Sequence, residues 1–153
     1  MANTYTQIHI QCVMAVKYRK ALIKREWKDQ LQKYITGIVQ NHGHKVLAIN
    51  NMPDHLHLFF GFRPNQALSD LMRIVKSEST KWINDNSLTA STFNWQEVYG
   101  AFSYSRSHVP RLINYVLNQE HHHREKTFLE EYQQLLDQFE IEFDSRYIFK
   151  LPE

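Results

Sequence analysis

The stretch Pro53-Asp54-His55-Leu56-His57-Leu58-Phe59-Phe60 admits few backbone conformations. Pro53 and Asp54 suit a turn, and the apolar residues beyond them suit a pleated surface. Side chains alternate faces along a strand, so His55 and His57 point one way while Leu56 and Leu58 point the other. Two imidazoles then stand side by side, anchored by leucines packed beneath. Neutral imidazole suits divalent transition metals, and two such ligands leave positions open for a third protein group and a substrate oxygen. An exposed face that happens to carry histidine explains the pair equally well. The rest of the chain has to decide.

Periodicity orders the remainder. Thr6 to Met14 alternates apolar with polar residues, which predicts a strand, and the basic knot Lys17-Tyr18-Arg19-Lys20 follows it. Trp27, Leu31, Ile35 and Ile38 recur at helical spacing from about Lys24 to Asn41, with Gly43 as a left-handed cap flanked by His42 and His44, both expected to be exposed. Lys45 to Asn50 predicts a strand that turns through Asn50-Asn51-Met52-Pro53-Asp54, as a hairpin, into the histidine strand. Ser69 is the expected cap of a helix running to about Asn84, with Leu71, Ile74, Val75 and Trp82 on its apolar face. After a Ser/Thr/Asn-rich loop, Val98 to Ser107 reads as a fourth strand interrupted by Gly100. His108-Val109-Pro110 opens a helix expected to run unbroken through Tyr115 and Gln119 to His121-His122-His123, and Thr127 is placed to cap another to about Gln138. The tail Ile141–Phe143 and Tyr147–Phe149 suits a short strand or packed coil.

This order is α+β. Its first six elements make the ferredoxin-like split βαβ arrangement, an antiparallel sheet covered by helices on one face, with C-terminal helices added. At 153 residues without a linker or low-complexity segment, residues 1–153 are expected to form a single domain.

Composition narrows the class of protein. No run approaches the roughly 20 apolar residues that span a bilayer, and the N-terminus lacks the layout of a signal peptide. Cys12 is the only cysteine, so neither an internal disulfide nor a cysteine-based zinc site is available. A cytoplasmic protein without a membrane segment is the expectation. Residues 1–81 carry 12 Lys or Arg against 5 Asp or Glu, whereas residues 82–153 carry 6 against 11. A basic half attracts polyanions by counterion release, although many basic surfaces are only solvated.

Tyr115 and Gln119, four residues apart, share one helix face. A phenol is a competent nucleophile that forms covalent intermediates, and a glutamine carbonyl is a neutral oxygen donor for a metal. A plainer account packs Tyr115 among Ile113 and Val116 and leaves Gln119 solvated. His121, His122 and His123 are adjacent and point in different directions, so they do not bind one metal together.

Taken in combination, Asp54-His55-Leu56-His57, Tyr115-Val116-Leu117-Asn118-Gln119 and His121-His122 resemble the single-tyrosine transposases of the insertion-sequence 200/605 family, within the HUH endonuclease superfamily. Lys17-Tyr18-Arg19, Lys76-Ser77-Glu78-Ser79, Trp95-Gln96-Glu97-Val98-Tyr99-Gly100, Thr127-Phe128-Leu129-Glu130-Glu131 and Asp144-Ser145-Arg146-Tyr147 match the same pattern in the same order. The resemblance implies that His55, His57 and Gln119 are the metal ligands, that Tyr115 is the nucleophile, that the metal is Mg²⁺ or Mn²⁺, and that the protein is a homodimer. It further implies cleavage and rejoining of single-stranded DNA, with hairpin ends, through a 5′-phosphotyrosine. Such exchange conserves the phosphodiester bond energy and requires no nucleotide cofactor; accordingly no Gly-rich Walker-type loop is present. Lys17, Arg19, Arg73 and Lys76 are the expected phosphate contacts and Tyr18 a stacking residue. Two other readings stay open: an inactive relative that binds hairpin DNA without cutting, and a metal-dependent hydrolase with no covalent step.

Overall fold

The computed structural model describes residues 4–121 and 126–142. Four antiparallel strands, β1 (His9–Ala15), β2 (Lys45–Met52), β3 (His55–Gly61) and β4 (Gly100–Tyr104), form one sheet in the order β2-β3-β1-β4. Helix α1 (Arg25–Asn41) joins β1 to β2, and α2 (Leu68–Asp85) joins β3 to β4. These two crossovers with interleaved strands are the split βαβ arrangement. Helices α3 (Val109–Leu117) and α4 (Phe128–Gln138) follow. No helix among the described residues is long and apolar enough to cross a membrane.

Alternation along β1 and β3 sorts the side chains into two layers. Cys12 and Met14 of β1 join Leu56, Leu58 and Phe60 of β3 in the core beneath α1 and α2, against Leu31, Ile35, Leu71 and Val75. The opposite face is also buried. There Val13, Ala15 and Phe102 pack on Phe128, Tyr132, Leu135 and Leu136 of α4, while Ala48 and Phe59 pack on Leu112 and Val116 of α3. Removing a ring buried as Phe59 is would cost about 3–5 kcal/mol. The C-terminal helices therefore roof the face that carries the histidines, and that face is not exposed.

Several local expectations are corrected. Ala67, not Ser69, stands at the N-cap of α2, and it makes no side-chain cap bond. β4 is shorter than Val98–Ser107, because Ser105 ends it and residues Arg106–His108 form a 3-10 turn leading into α3. The tyrosine helix is not continuous: α3 ends at Leu117, Asn118 forms a turn, and helical backbone resumes at Gln119. Asn50 explains the stop, since its Nδ2 donates to the carbonyls of Val116 (3.0 Å) and Leu117 (3.1 Å), groups that a helix end leaves unpaired. His44 is buried, because Gln66 Oε1 lies 2.8 Å from its Nε2, the Arg63 amide donates to its Nδ1, and its ring stacks on Phe62.

Other expectations hold. Gly43, at φ +91°, follows the end of α1 in the left-handed conformation. Thr127 caps α4 by accepting from the Glu130 amide, and its hydroxyl donates to Glu130 Oε1 at 3.1 Å. His122, His123 and the tail segment Tyr147–Phe149, expected as a short strand or packed coil, lie outside the described residues, and Ile141 and Glu142 are not in a strand.

Candidate active site

β3 is the second strand from one edge, so the histidine face has a neighbour on each side. Val13 of β1 and Asn50 of β2 flank His57; Ala15 and Met52 flank His55. Beside the small Ala15 there is room for the Phe128 ring, which stacks on His55 at 3.8 Å between centroids. Both imidazoles are completely buried.

Each imidazole is held by its Nδ1. Asp54 Oδ1 lies 2.7 Å from His55 Nδ1, and Gln11 Oε1 lies 2.7 Å from His57 Nδ1. Gln11 is itself fixed by donating from Nε2 to the Tyr104 hydroxyl at 2.9 Å. Oxygen acceptors on Nδ1 place the ring hydrogen there and leave Nε2 as a lone pair, the orientation that metal-binding histidines adopt. Burial pulls the His55 pKa down from 6.5 to about 4, against the opposing hydrogen bond to Asp54. His55 is therefore neutral at pH 7.

Both Nε2 atoms face a carboxylate. Glu131 Oε1 on α4 lies 3.1 Å from His57 Nε2 and 3.8 Å from His55 Nε2. One ligand atom from each of the three residues falls within 4.8 Å of the others. Two imidazole lone pairs directed at a carboxylate oxygen repel unless a cation lies among them. The donor set thus fits a divalent ion, and a nitrogen-rich set favours Mn²⁺ over the strictly oxygen-seeking Mg²⁺.

Tyr115 completes the constellation. Its hydroxyl donates to Glu131 Oε2 in a short hydrogen bond, and its ring meets His57 edge-on at 5.9 Å. Burial, then the Glu131 charge and this bond, raise the phenol pKa well above its ordinary value. Tyr115 is thus held neutral, with its proton already directed at a carboxylate. Gln119 is buried beside it, with Nε2 donating to the Tyr115 carbonyl at 3.3 Å and its side chain hydrogen-bonded to the phenol.

Glu131 was not singled out from the sequence as a site residue. Its signal was present nonetheless: on α4 it falls on the same stripe as Phe128, Tyr132 and Leu135, an acid where a core residue belongs. Gln11 gave no such signal.

The basic residues fall at two places. Tyr18 and Arg19 adopt positive φ (60° and 51°) in the turn after β1. That turn lies against the start of the histidine strand, since the Val16 amide donates to Asp54 O and the Arg19 amide returns to Val16 O. Lys17 and Lys20 place their ammonium groups 5.5 Å and 5.9 Å from the Tyr18 ring. Arg73 is exposed on α2, beyond the opposite core. Lys76, next to it, turns inward and donates to the carbonyls of Gln96 (2.7 Å), Glu97 (2.6 Å) and Val98 (3.4 Å). Burial lowers its pKa to about 8, with the Glu97 charge opposing. Its ammonium straps α2 to the loop before β4.

Residues 4–119 match the family model for IS200-like transposases. ISDra2 transposase TnpA of Deinococcus radiodurans is 31% identical over 75 residues, which cover 49% of this chain and 54% of that protein, so the match spans about half of the relative's length. Two solved structures share the fold. One is a crystal structure of a D. radiodurans R1 protein assigned as a transposase, with TM-score 0.61 and 21% identity over 78% of this chain and 95% of that one. The other is a REP-associated tyrosine transposase bound to a REP hairpin, with TM-score 0.60 and 13% identity over 80% of this chain and 73% of that one. On the strength of the match over residues 4–119, the chain belongs to the IS200-like transposase family.

Proposed function

We propose that this transposase cleaves and rejoins single-stranded DNA through a covalent 5′-phosphotyrosine on Tyr115. One observation carries the reading: a single buried carboxylate, Glu131, accepts the Tyr115 hydroxyl on one oxygen and faces both histidines with the other. This reading takes the proposed nucleophile and the proposed ligands from the same protomer.

In this reading the Tyr115 oxygen forms the new bond to phosphorus and the P–O3′ bond breaks. The phenolic proton passes to Glu131, and the departing 3′ oxygen takes up a proton to end as a hydroxyl. The 3′-hydroxyl of another strand reverses these steps and joins new ends. His55, His57 and Glu131 are the residues that would hold a divalent ion, with Gln119 as the further donor the family resemblance implies. Bound there, the ion supplies polarisation of the phosphate and neutralisation of its charge. Asp54 and Gln11 keep the imidazoles in the ligating tautomer, and Phe128 excludes water from His55.

We propose hairpin DNA as the substrate form, since a relative of the same fold is bound to a REP hairpin. Lys17, Arg19 and Arg73 are proposed as phosphate contacts and Tyr18 as a stacking residue. Lys76, also proposed as a phosphate contact, would have to release its carbonyls to act. Residues 1–153 are proposed to act as one HUH-type domain within a homodimer.

The test is a cleavage assay on hairpin DNA from the gene's flanks, run with Mn²⁺, Mg²⁺ or chelator and resolved on a denaturing protein gel. The expected result is a metal-dependent protein–DNA band absent from Tyr115→Phe. Cleavage that persists in Tyr115→Phe without a band would replace this mechanism with a hydrolytic one, and binding with no cleavage under either metal would indicate an inactive relative.

A further inference from the structure

A cavity of about 220 Å³ opens beside the nucleophile, walled by Tyr104 of β4, His108 just before α3, Arg111, Leu112 and Tyr115 of α3, and Leu135 and Gln138 of α4. Neither His55 nor His57 lines it. Arg111 precedes Tyr115 by one helical turn, so the two share a face of α3. It is exposed, and its guanidinium makes no hydrogen bond or ion pair with the described residues.

The chain segment that carries Tyr115 is one-sided in charge. From Val98 to Gln119 the chain contains no Asp or Glu. Arg106 and His108 stand in the turn before α3, whose first turn also lacks an acid. The C-terminal half is acidic by count, yet the only charged side chains that α3 and the turn before it bring to this cavity are basic, and the carboxylate nearest Tyr115, Glu131, is engaged by its hydroxyl. Leu112 and Leu135 give the cavity an apolar lining and Tyr104 an aromatic one. A hollow with such walls and a free guanidinium suits a nucleotide, whose base takes the apolar space and whose phosphate takes the fork.

Resting on the function proposed above, we propose that Arg111 is a strand-positioning residue: it grips a phosphodiester next to the one Tyr115 attacks, with that nucleotide lodged in the cavity. The metal cluster and Arg111 then hold consecutive points of the strand on either side of the phenol, which sets the attacked phosphorus in line.

The experiment is a methylphosphonate walk, in which each phosphate flanking the cleavage point is replaced in turn by a neutral one. Covalent adduct formation with Mn²⁺ is timed for native protein, Arg111→Ala and Arg111→Lys. Arg111→Ala is expected to slow the reaction roughly ten- to a hundredfold, the range for losing a charge-assisted hydrogen bond, and Arg111→Lys to recover part of the rate. At one flanking position the neutral linkage should slow native protein and leave Arg111→Ala no slower, because both changes remove the same contact. An Arg111→Ala rate equal to native, or equal sensitivity of both proteins at every position, would overturn the inference. Equilibrium binding of the same oligonucleotides to Tyr115→Phe, with and without Arg111→Ala, reads the contact independently of chemistry. Failure of native protein to form any adduct would strike the proposed function, whereas failure of that binding difference would strike Arg111 alone.

Discussion

Asp54 and Gln11 touch no substrate in the proposed reaction, yet each decides which nitrogen of a histidine faces Glu131. Gln11→Leu removes the acceptor on His57 Nδ1 and frees the ring to turn or change tautomer. Mn²⁺ affinity, measured by calorimetric titration, is expected to fall about 10–100-fold; an unchanged affinity would show that Gln11 does not orient the ring. His55 carries a second expectation, in pH. The unfolded chain takes up this proton near the ordinary value of 6.5, and the folded chain only near 4, because burial opposes the charge. The unfolded state therefore binds more protons between these values. The contribution of His55 to stability is complete above pH 6.5 and declines as pH falls toward 4, by at most about 1.4 kcal/mol per pH unit. Urea midpoints recorded across that window without metal should drop more steeply for native protein than for His55→Gln. Parallel curves would remove His55 as the cause.

At the scale of elements, the position of α4 determines whether there is a site at all, because Glu131 rides on it. Gly100, at the start of β4, allows the helix to come that close. A Cβ there would lie 2.5 Å from the Tyr132 hydroxyl and 2.7 Å from its Cε1, so ring or helix must move. Gly100→Ala is expected to cost about 1–3 kcal/mol, as overpacking does, and to weaken Mn²⁺ binding by displacing Glu131, the neighbour of Tyr132. Denaturant titration and metal titration on the same variant check both halves. Loss of stability with unaltered metal affinity would mean that Tyr132 moves alone. The Asn50 cap at the end of α3 holds the turn at Asn118 that separates Tyr115 from Gln119.

Across the whole molecule, the proposed strand path joins the turn at Lys17–Arg19, beside the start of β3, to Arg111 on α3, outside the roof over the buried histidines. Binding along such a path releases counterions. Affinity for single-stranded DNA should fall linearly on a logarithmic salt scale, and each phosphate contact removed should flatten the slope by about 0.7. Lys17→Ala and Arg19→Ala, titrated against an unstructured oligonucleotide at several salt concentrations, test two of these contacts one at a time. A slope unchanged by either substitution would place the strand elsewhere.

What the sequence determined by itself is what short-range periodicity encodes. Alternation in β1 and β3 and the stripes of α1 and α2 set the element order, and hence the split βαβ fold. The two-residue spacing put His55 and His57 on one face, and Thr127 marked the start of α4. These features depend on neighbours a few residues away, and the backbone geometry of a strand or helix translates them directly. Only the tertiary structure decided what lies over the histidines. Glu131 is 74 residues from His57 in the chain and 3.1 Å from it in space, a contact that no local period records. Lys76 looked like a surface cation until the loop before β4 supplied three carbonyls.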